Sequence, residues 1–207
     1  MDTINKFFPE LTDSQMLQFG QLESIYHDWN QKINVISRKD IDNLYLNHVL
    51  HSLAIAVFIS FKKGTKIIDL GTGGGFPGIP LAIMFPQCDF LLIDSINKKL
   101  HVVNEVVTAL DLKNVKTKHS RVENLNEKCD FVVTRAVAKI DILLPWARLV
   151  LSKSHKNTYP NGLIALKGNL KSELELIPKY EYREIVPIIE YFNETYFEEK
   201  YLLYIQG

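Results

Sequence analysis

A chain of 207 residues, 46% hydrophobic and 23% charged, has the composition of an ordinary globular protein, which excludes disordered, collagen-like and fibrous classes. At this length one domain with a helical appendage buries about 70% of the surface its unfolded chain exposes, so no disulfide scaffold is needed. The formal net charge is zero, which argues against capture of a polyanion by bulk charge. The charge is unevenly spread, however: from Lys171 onward eight acids accompany four bases, leaving 20 bases against 16 acids elsewhere. The C-terminal section therefore reads as acidic and solvated, and the remainder has room for a modest basic face.

The opening residues show no basic head, apolar run and cleavage site, and Leu50–Phe61, interrupted by His51, Ser52 and Ser60, is too short to span a bilayer. A cytoplasmic location is expected. Thr12 with Gln15 has the spacing of a capping box, followed by Met16, Phe19, Leu22, Ile25, Tyr26 and Trp29 at helical intervals. After a polar break at 30–34, Asp40 is expected to cap a second helix carrying Ile41, Leu44, Tyr45, Val49, Leu53, Ala56 and Val57. His48 and His51 share a face of that helix with no third ligand nearby, so they read as core or surface histidines, and no metal site is expected. Residues 1–62 are thus expected to form a helical extension ending at Lys62-Lys63-Gly64.

From Lys66 the pattern changes to short apolar runs, 66–70, 89–94, 115–118, 130–134 and 163–167, separated by helical stretches at 79–85, 98–110 and 142–151. That alternation predicts an α/β domain over 63–207, a mostly parallel sheet wound with helices. Two further runs, 182–189 and 201–205, with a loop of about ten residues between them, suit a closing antiparallel pair. Cys88 and Cys129 precede strands that are not neighbours and lack the spacing of a metal or redox motif, so both read as reduced packing residues.

Asp69-Leu70-Gly71-Thr72-Gly73-Gly74-Gly75 follows the first strand and leads into a helix opening at Pro77. Glycines there let the backbone take positive φ and approach a ligand closely. A nicotinamide-binding fingerprint needs a further glycine three residues after Gly73, where Phe76 stands. The acid two before Gly71 and the Gly-x-Gly-x-Gly run instead resemble the cofactor loop of class I S-adenosylmethionine-dependent methyltransferases, a Rossmann-like sheet with an antiparallel last strand. Asp94, at the end of the second strand, is placed either to accept hydrogen bonds from both ribose hydroxyls or to sit as a solvated loop residue.

A wider set of motifs, taken in order, is more specific. Gly71-Thr72-Gly73-Gly74-Gly75-Phe76-Pro77-Gly78-Ile79-Pro80-Leu81, Asp94-Ser95 with Lys98-Lys99, Ser120-Arg121-Val122-Glu123, Thr134-Arg135-Ala136-Val137-Ala138 and Ala165-Leu166-Lys167-Gly168 resemble the bacterial glucose-inhibited division protein B family. That family methylates N7 of a guanine in small-subunit (16S) ribosomal RNA, and Asn34, Arg38, His48 and Ser52 fit its helical part. The resemblance implies S-adenosyl-L-methionine as cofactor, contacted by the loop (Gly71, Gly73, Gly75, Phe76), by Asp94, by Val122 and Glu123, and by Arg135. It implies 16S ribosomal RNA or the small ribosomal subunit as partner of a monomer, with Asn34, Arg38 and His48 shaping the mouth of the site.

The residues agree with such an acceptor. Guanine N7 already carries an in-plane lone pair and loses no proton, so no general base is demanded. The Pro-Pro-aromatic signature of amino methylation is missing after the fourth strand, where Thr134-Arg135-Ala136-Val137 stands, and no Cys-Pro nucleophile for cytosine C5 occurs there. Arg135 is the expected catalytic residue, holding either the cofactor carboxylate or guanine O6, because ligands of open α/β sheets bind at the carboxyl ends of central strands. Lys167 reads either as a contact to RNA or as a snorkelling strand-end lysine, and Lys98, Lys99, Lys116, Lys118 and Arg121 add candidate phosphate contacts. Two rivals stand beside this reading, a non-catalytic ribosome-assembly factor that retains the cofactor pocket and a nucleotide-dependent oxidoreductase.

Overall fold

The computed structural model describes residues 2–37, 39–168 and 170–207. Seven strands form one sheet in the order β3-β2-β1-β4-β5-β7-β6: β1 Lys66–Leu70, β2 Asp89–Asp94, β3 Val115–His119, β4 Phe131–Arg135, β5 Gly162–Lys167, β6 Arg183–Pro187 and β7 Tyr201–Gln206. β1 to β5 pair in parallel, while β7 runs antiparallel to both β5 and β6. The strand order reverses between β1 and β4, and the crevice outside the carboxyl ends there is where such sheets bind ligands.

Period-two alternation divides the sheet residues between two cores. Ile67, Leu92, Phe131, Val133, Ile164, Leu166, Leu202 and Tyr204 point to one face. Ile68, Leu70, Ile93, Val132, Leu163, Leu203 and Ile205 point to the other. The helices are α1 Asp2–Phe7, α2 Asp13–Lys32, α3 His51–Phe58, α4 Gly78–Met84, α5 Asn97–Ala109, α6 Ile140–Val150 and α7 Lys171–Leu174. The first face is shared by Ile4, Phe19, Leu22, Tyr26, Leu50 and Leu53 of the N-terminal helical segment and by α4 and α5, whereas α6 covers the second.

The capping box forms as its spacing predicts, with Gln15 N donating to the Thr12 hydroxyl and Thr12 N donating to the Gln15 side chain. The Gln15 amide nitrogen also donates to the carbonyls of Ile83 (3.0 Å) and Met84 (3.1 Å). It thereby satisfies acceptors that the end of α4 leaves without helical partners.

The second helix departs from expectation. Asp40 does not cap it: its carboxylate accepts hydrogen bonds from Ser37 and Asn47 side chains. The helix enters through a 3-10 turn, Ile41–Asn43, and a π-turn, Tyr45–Leu50, before α3 begins. The C-terminal acids are likewise not all solvated. Glu173 pairs with Lys167, and Glu181, 9% exposed, pairs with Arg148.

Cys88 and Cys129 are free and buried, before strands that β1 separates. Burial pushes the two thiols up to about 11 and about 12. Among the described residues, no helix is long and apolar enough to cross a membrane.

Phe19 of α2 is fully buried in the core shared with the sheet. Phe19→Ala is expected to cost about 3–5 kcal/mol within a single unfolding transition. Differential scanning calorimetry checks this, and a separate low-temperature transition would show the helical segment melting alone.

Candidate active site

A cleft of about 640 Å³ opens at the carboxyl ends of β1, β2 and β4, lined by the glycine loop, Asp94, Val122, Glu123 and Arg135 among others. Three glycines of the loop have positive φ: Gly71 (69°), Gly73 (57°) and Gly75 (99°). They serve different ends. A Cβ on Gly71 would lie 2.6 Å from a methyl of Val137, so this glycine lets the chain after β4 close on the loop. Gly73 opens towards the cleft and its N–H donates to Asp94 Oδ2 (2.9 Å). Gly75 does not line the cleft. A Cβ there would meet Ile79 at 2.7 Å and the Tyr26 hydroxyl at 2.9 Å, so it is required by packing beneath the loop.

Asp94 is 7% exposed and is neither solvated nor uncommitted. Ile96 N donates to its Oδ1 (2.9 Å) while Gly73 N holds Oδ2, so one carboxylate joins the loop to the end of β2. Each oxygen keeps a second lone pair for a ligand.

Asp69 braces the loop from below. Its Oδ2 accepts hydrogen bonds from the Thr72 hydroxyl (2.5 Å) and Gly78 N (2.9 Å). Its Oδ1 is buried without a hydrogen bond among the described residues. Burial pushes the carboxyl up from 3.8 to about 7 against those two hydrogen bonds.

From the helical segment, the Tyr26 hydroxyl donates to the Gly74 carbonyl (2.6 Å) in a buried contact. Val35 packs on Gly74 and lines the cleft. Its loop is held by Asn30, whose Oδ1 accepts from Val35 N and Ile36 N (2.9 Å each). Phe76 is 3% exposed, against Tyr26 and His48.

Arg135, at the end of β4, lines both this cleft and a second cavity of about 590 Å³. Its Nη1 donates to the Asn47 carbonyl (3.1 Å), its Nη2 lies 2.6 Å from His48 Nδ1, and its guanidinium stands 5.2 Å from the centre of the Phe76 ring. A guanidinium has only donors, so His48 Nδ1 must be the acceptor and the imidazole proton must sit on Nε2. Burial, then the Arg135 charge, pull the His48 pKa down to about 4, consistent with a neutral ring. Ala136, the next residue, takes a left-handed φ of 54°, a conformation that costs a non-glycine residue about 1–2 kcal/mol.

The remaining expected residues are placed less centrally. Val122 is buried and Glu123 exposed, both on a 3-10 turn lining the cleft. Asn34 is exposed and outside both cavities, and Arg38 lies outside the described residues. Lys167 lines the second cavity but is 7% exposed, with its ammonium donating to the Ala138 carbonyl (2.5 Å) and Glu173 (2.8 Å). It is an internal ion pair and does not snorkel.

Sequence reading assigned no site role to Tyr26, Asn47, Tyr196 or Asp40. Tyr26 reads only as part of the apolar stripe of α2. The Tyr196 hydroxyl shares the Asn47 carbonyl with Arg135 (3.1 Å each), a meeting of segments far apart in the chain that leaves no local signal.

The architecture is that of class I methyltransferases. A solved SAM-dependent methyltransferase from Aquifex aeolicus superposes with a TM-score of 0.57 over 78% of this chain and 92% of its own, at 16% identity. Residues 15–181 match the family model described as rRNA small subunit methyltransferase G. Proteins named ribosomal RNA small subunit methyltransferase G from Bacteroides thetaiotaomicron and Porphyromonas gingivalis are 52% and 51% identical, covering 100% and 99% of this chain and 100% and 92% of their own. The chain belongs to that family.

Tyr26→Phe removes the Gly74 clasp and is expected to weaken S-adenosylmethionine binding several-fold, about 1 kcal/mol, as titration calorimetry would measure. Asp69 makes a second prediction. Between 3.8 and about 7 the folded chain keeps a proton the unfolded chain has lost, so this group subtracts stability progressively as pH rises through that window. Urea denaturation should show the stability of the parent protein falling relative to Asp69→Asn from pH 4 to pH 7, then running parallel above it.

Proposed function

We propose that the protein transfers a methyl group from S-adenosylmethionine to N7 of a guanine in 16S ribosomal RNA, acting as a cytoplasmic monomer on the small ribosomal subunit or its RNA. The observation that carries this reading is the junction of the two cavities, where, among the described residues, Arg135, Ala136 and Val137 line both. None of these is a general base. An acceptor that loses a proton during transfer would need one there, and guanine N7 does not.

The cleft suits the cofactor. Loop backbone approaches at Gly73 without a Cβ, Asp94 offers a carboxylate for ribose hydroxyls, and Ile93, Ile96 and Val122 offer apolar surface for a base. When bound there, S-adenosylmethionine supplies an electrophilic methyl on a sulfonium. Arg135 is assigned to the carboxylate of its methionine part. A guanine methylated at N7 becomes a cation, so a guanidinium aimed at the base would oppose the reaction, whereas one aimed at a carboxylate does not.

His48 and the Asn47 carbonyl orient that guanidinium, and the loop at 33–37 with Val35 covers the cleft beside Gly74. The segment 1–62 is in this reading an extension that completes the cofactor and acceptor openings. Exclusion of water and fixed alignment, not proton transfer, are what these residues contribute to an in-line displacement.

The test is transfer of labelled methyl to small subunits lacking the modification, followed by nuclease digestion and mass spectrometry. Appearance of 7-methylguanosine in one fragment is the expected result. Binding of S-adenosylhomocysteine without any product would instead favour an assembly factor. Arg135→Ala should fold, weaken cofactor binding about 10- to 100-fold as loss of a charge-assisted contact does, and reduce turnover far more than stability.

A further inference from the structure

Among the described residues, two carboxylates line the second cavity, and they differ in what holds them. Glu173 is neutralised by Lys167 at 2.8 Å and accepts the Ile140 N–H at 2.9 Å. Asp40 accepts hydrogen bonds from two uncharged groups, the Ser37 hydroxyl on Oδ2 (2.6 Å) and the Asn47 amide on Oδ1 (3.0 Å). Those bonds, Ser37 first, hold its carboxyl below the ordinary range, so it is an anion with one lone pair left on each oxygen. Asn47 meanwhile offers its carbonyl to Arg135 and to Tyr196. One residue of the π-turn therefore fixes an anion in the second cavity and a cation at the junction with the cofactor cleft.

Resting on the guanine reading above, we propose that the second cavity is the chamber of the acceptor base and that Asp40 is its specificity residue, accepting the N1–H and the N2 amino group of guanine. The two ends of guanine fit this polarity. N7 lies across the purine from the N1–N2 edge, so a base whose N7 meets the junction turns that edge into the second cavity, away from the cofactor. Asp40 lines the second cavity and not the first. Adenine offers an acceptor at N1 and no amino group at C2, and would leave the carboxylate without donors; sites built to hydrogen-bond a group reject analogues lacking it for that reason.

Charge gives Asp40 a second effect. When N7 takes the methyl, its lone pair becomes the new N–C bond, the pair of the broken C–S bond stays with sulfur, and the positive charge passes to the base. A carboxylate on N1–H and N2 stabilises that developing cation, so Asp40 favours the transition state over the bound neutral base.

The experiment compares reconstituted small subunits carrying guanine or inosine, which lacks the N2 amino group, at the methylated position, with wild type and Asp40→Asn. Wild type is expected to prefer guanine by tenfold or more in kcat/KM, a bidentate contact discriminating by about that much. Asp40→Asn should lower kcat/KM for guanine and bring the two substrates within about twofold, with S-adenosylmethionine affinity unchanged. An identical guanine-to-inosine ratio in variant and wild type overturns the assignment. So does a wild-type ratio near one, which needs no variant to fold. Wild type that makes no 7-methylguanosine on the guanine subunits overturns the guanine reading itself, and the two failures are thus told apart.

Discussion

The side chain of Arg135 is half-buried at the carboxyl end of the central strand β4, and drawing such a charge out of water is tolerated only when its donors are met. Two partners come from the helical segment, the Asn47 carbonyl and His48 Nδ1, and a third is the face of Phe76 at the end of the glycine loop, itself pressed by His48 and Tyr26. The Asn47 carbonyl lies in the π-turn Tyr45–Leu50 and accepts from both Arg135 and Tyr196, and π-turns recur at functional sites. Because the guanidinium cannot accept a proton, His48 must stay neutral with its hydrogen on Nε2.

From that constraint the layout of the site follows. The helical segment has to lie across the carboxyl ends of β1 and β4, where Tyr26 then reaches the Gly74 carbonyl and Val35 packs on Gly74. Arg135 becomes the partition between two cavities of similar size, one against the glycine loop and Asp94, the other against Asp40, Lys167 and Tyr196. In the proposed reaction this partition would stand between the methyl donor and its acceptor base.

Electrostatic assignments inside the site are decided by whether each charge already has a counter-charge. Lys167 and Glu173 pair with each other, so neither presents a net charge to a ligand. Asp40 is held, among the described residues, by the neutral donors Ser37 and Asn47, and the charge of Arg135 also favours its anion. Asp94 spends one lone pair on each oxygen tying the loop to β2 and keeps the other. Asp69 is buried deeply enough that burial outweighs its two hydrogen bonds and raises its pKa.

The sheet, its antiparallel last pair, the capping box at Thr12 and the glycine loop were legible in the sequence because each depends on neighbours within a few residues: period-two burial, helical spacing, and positive φ where a Cβ would clash. The family motifs were legible for the same reason, being contiguous runs around strand ends. What each of those residues does was set by segments distant in the chain. Gly75, read as a cofactor contact, is needed for Tyr26 and Ile79; Asp40, read as a helix cap, turns to Ser37 and Asn47; Lys167, read as reaching for RNA or solvent, is buried on Glu173. The Arg135–Asn47–Tyr196 junction joins three stretches of chain separated by 88 and 149 positions. Local pattern determines which element forms and which face is apolar, but the partner of a polar side chain is chosen by desolvation, and only the packed fold decides which groups lose water together.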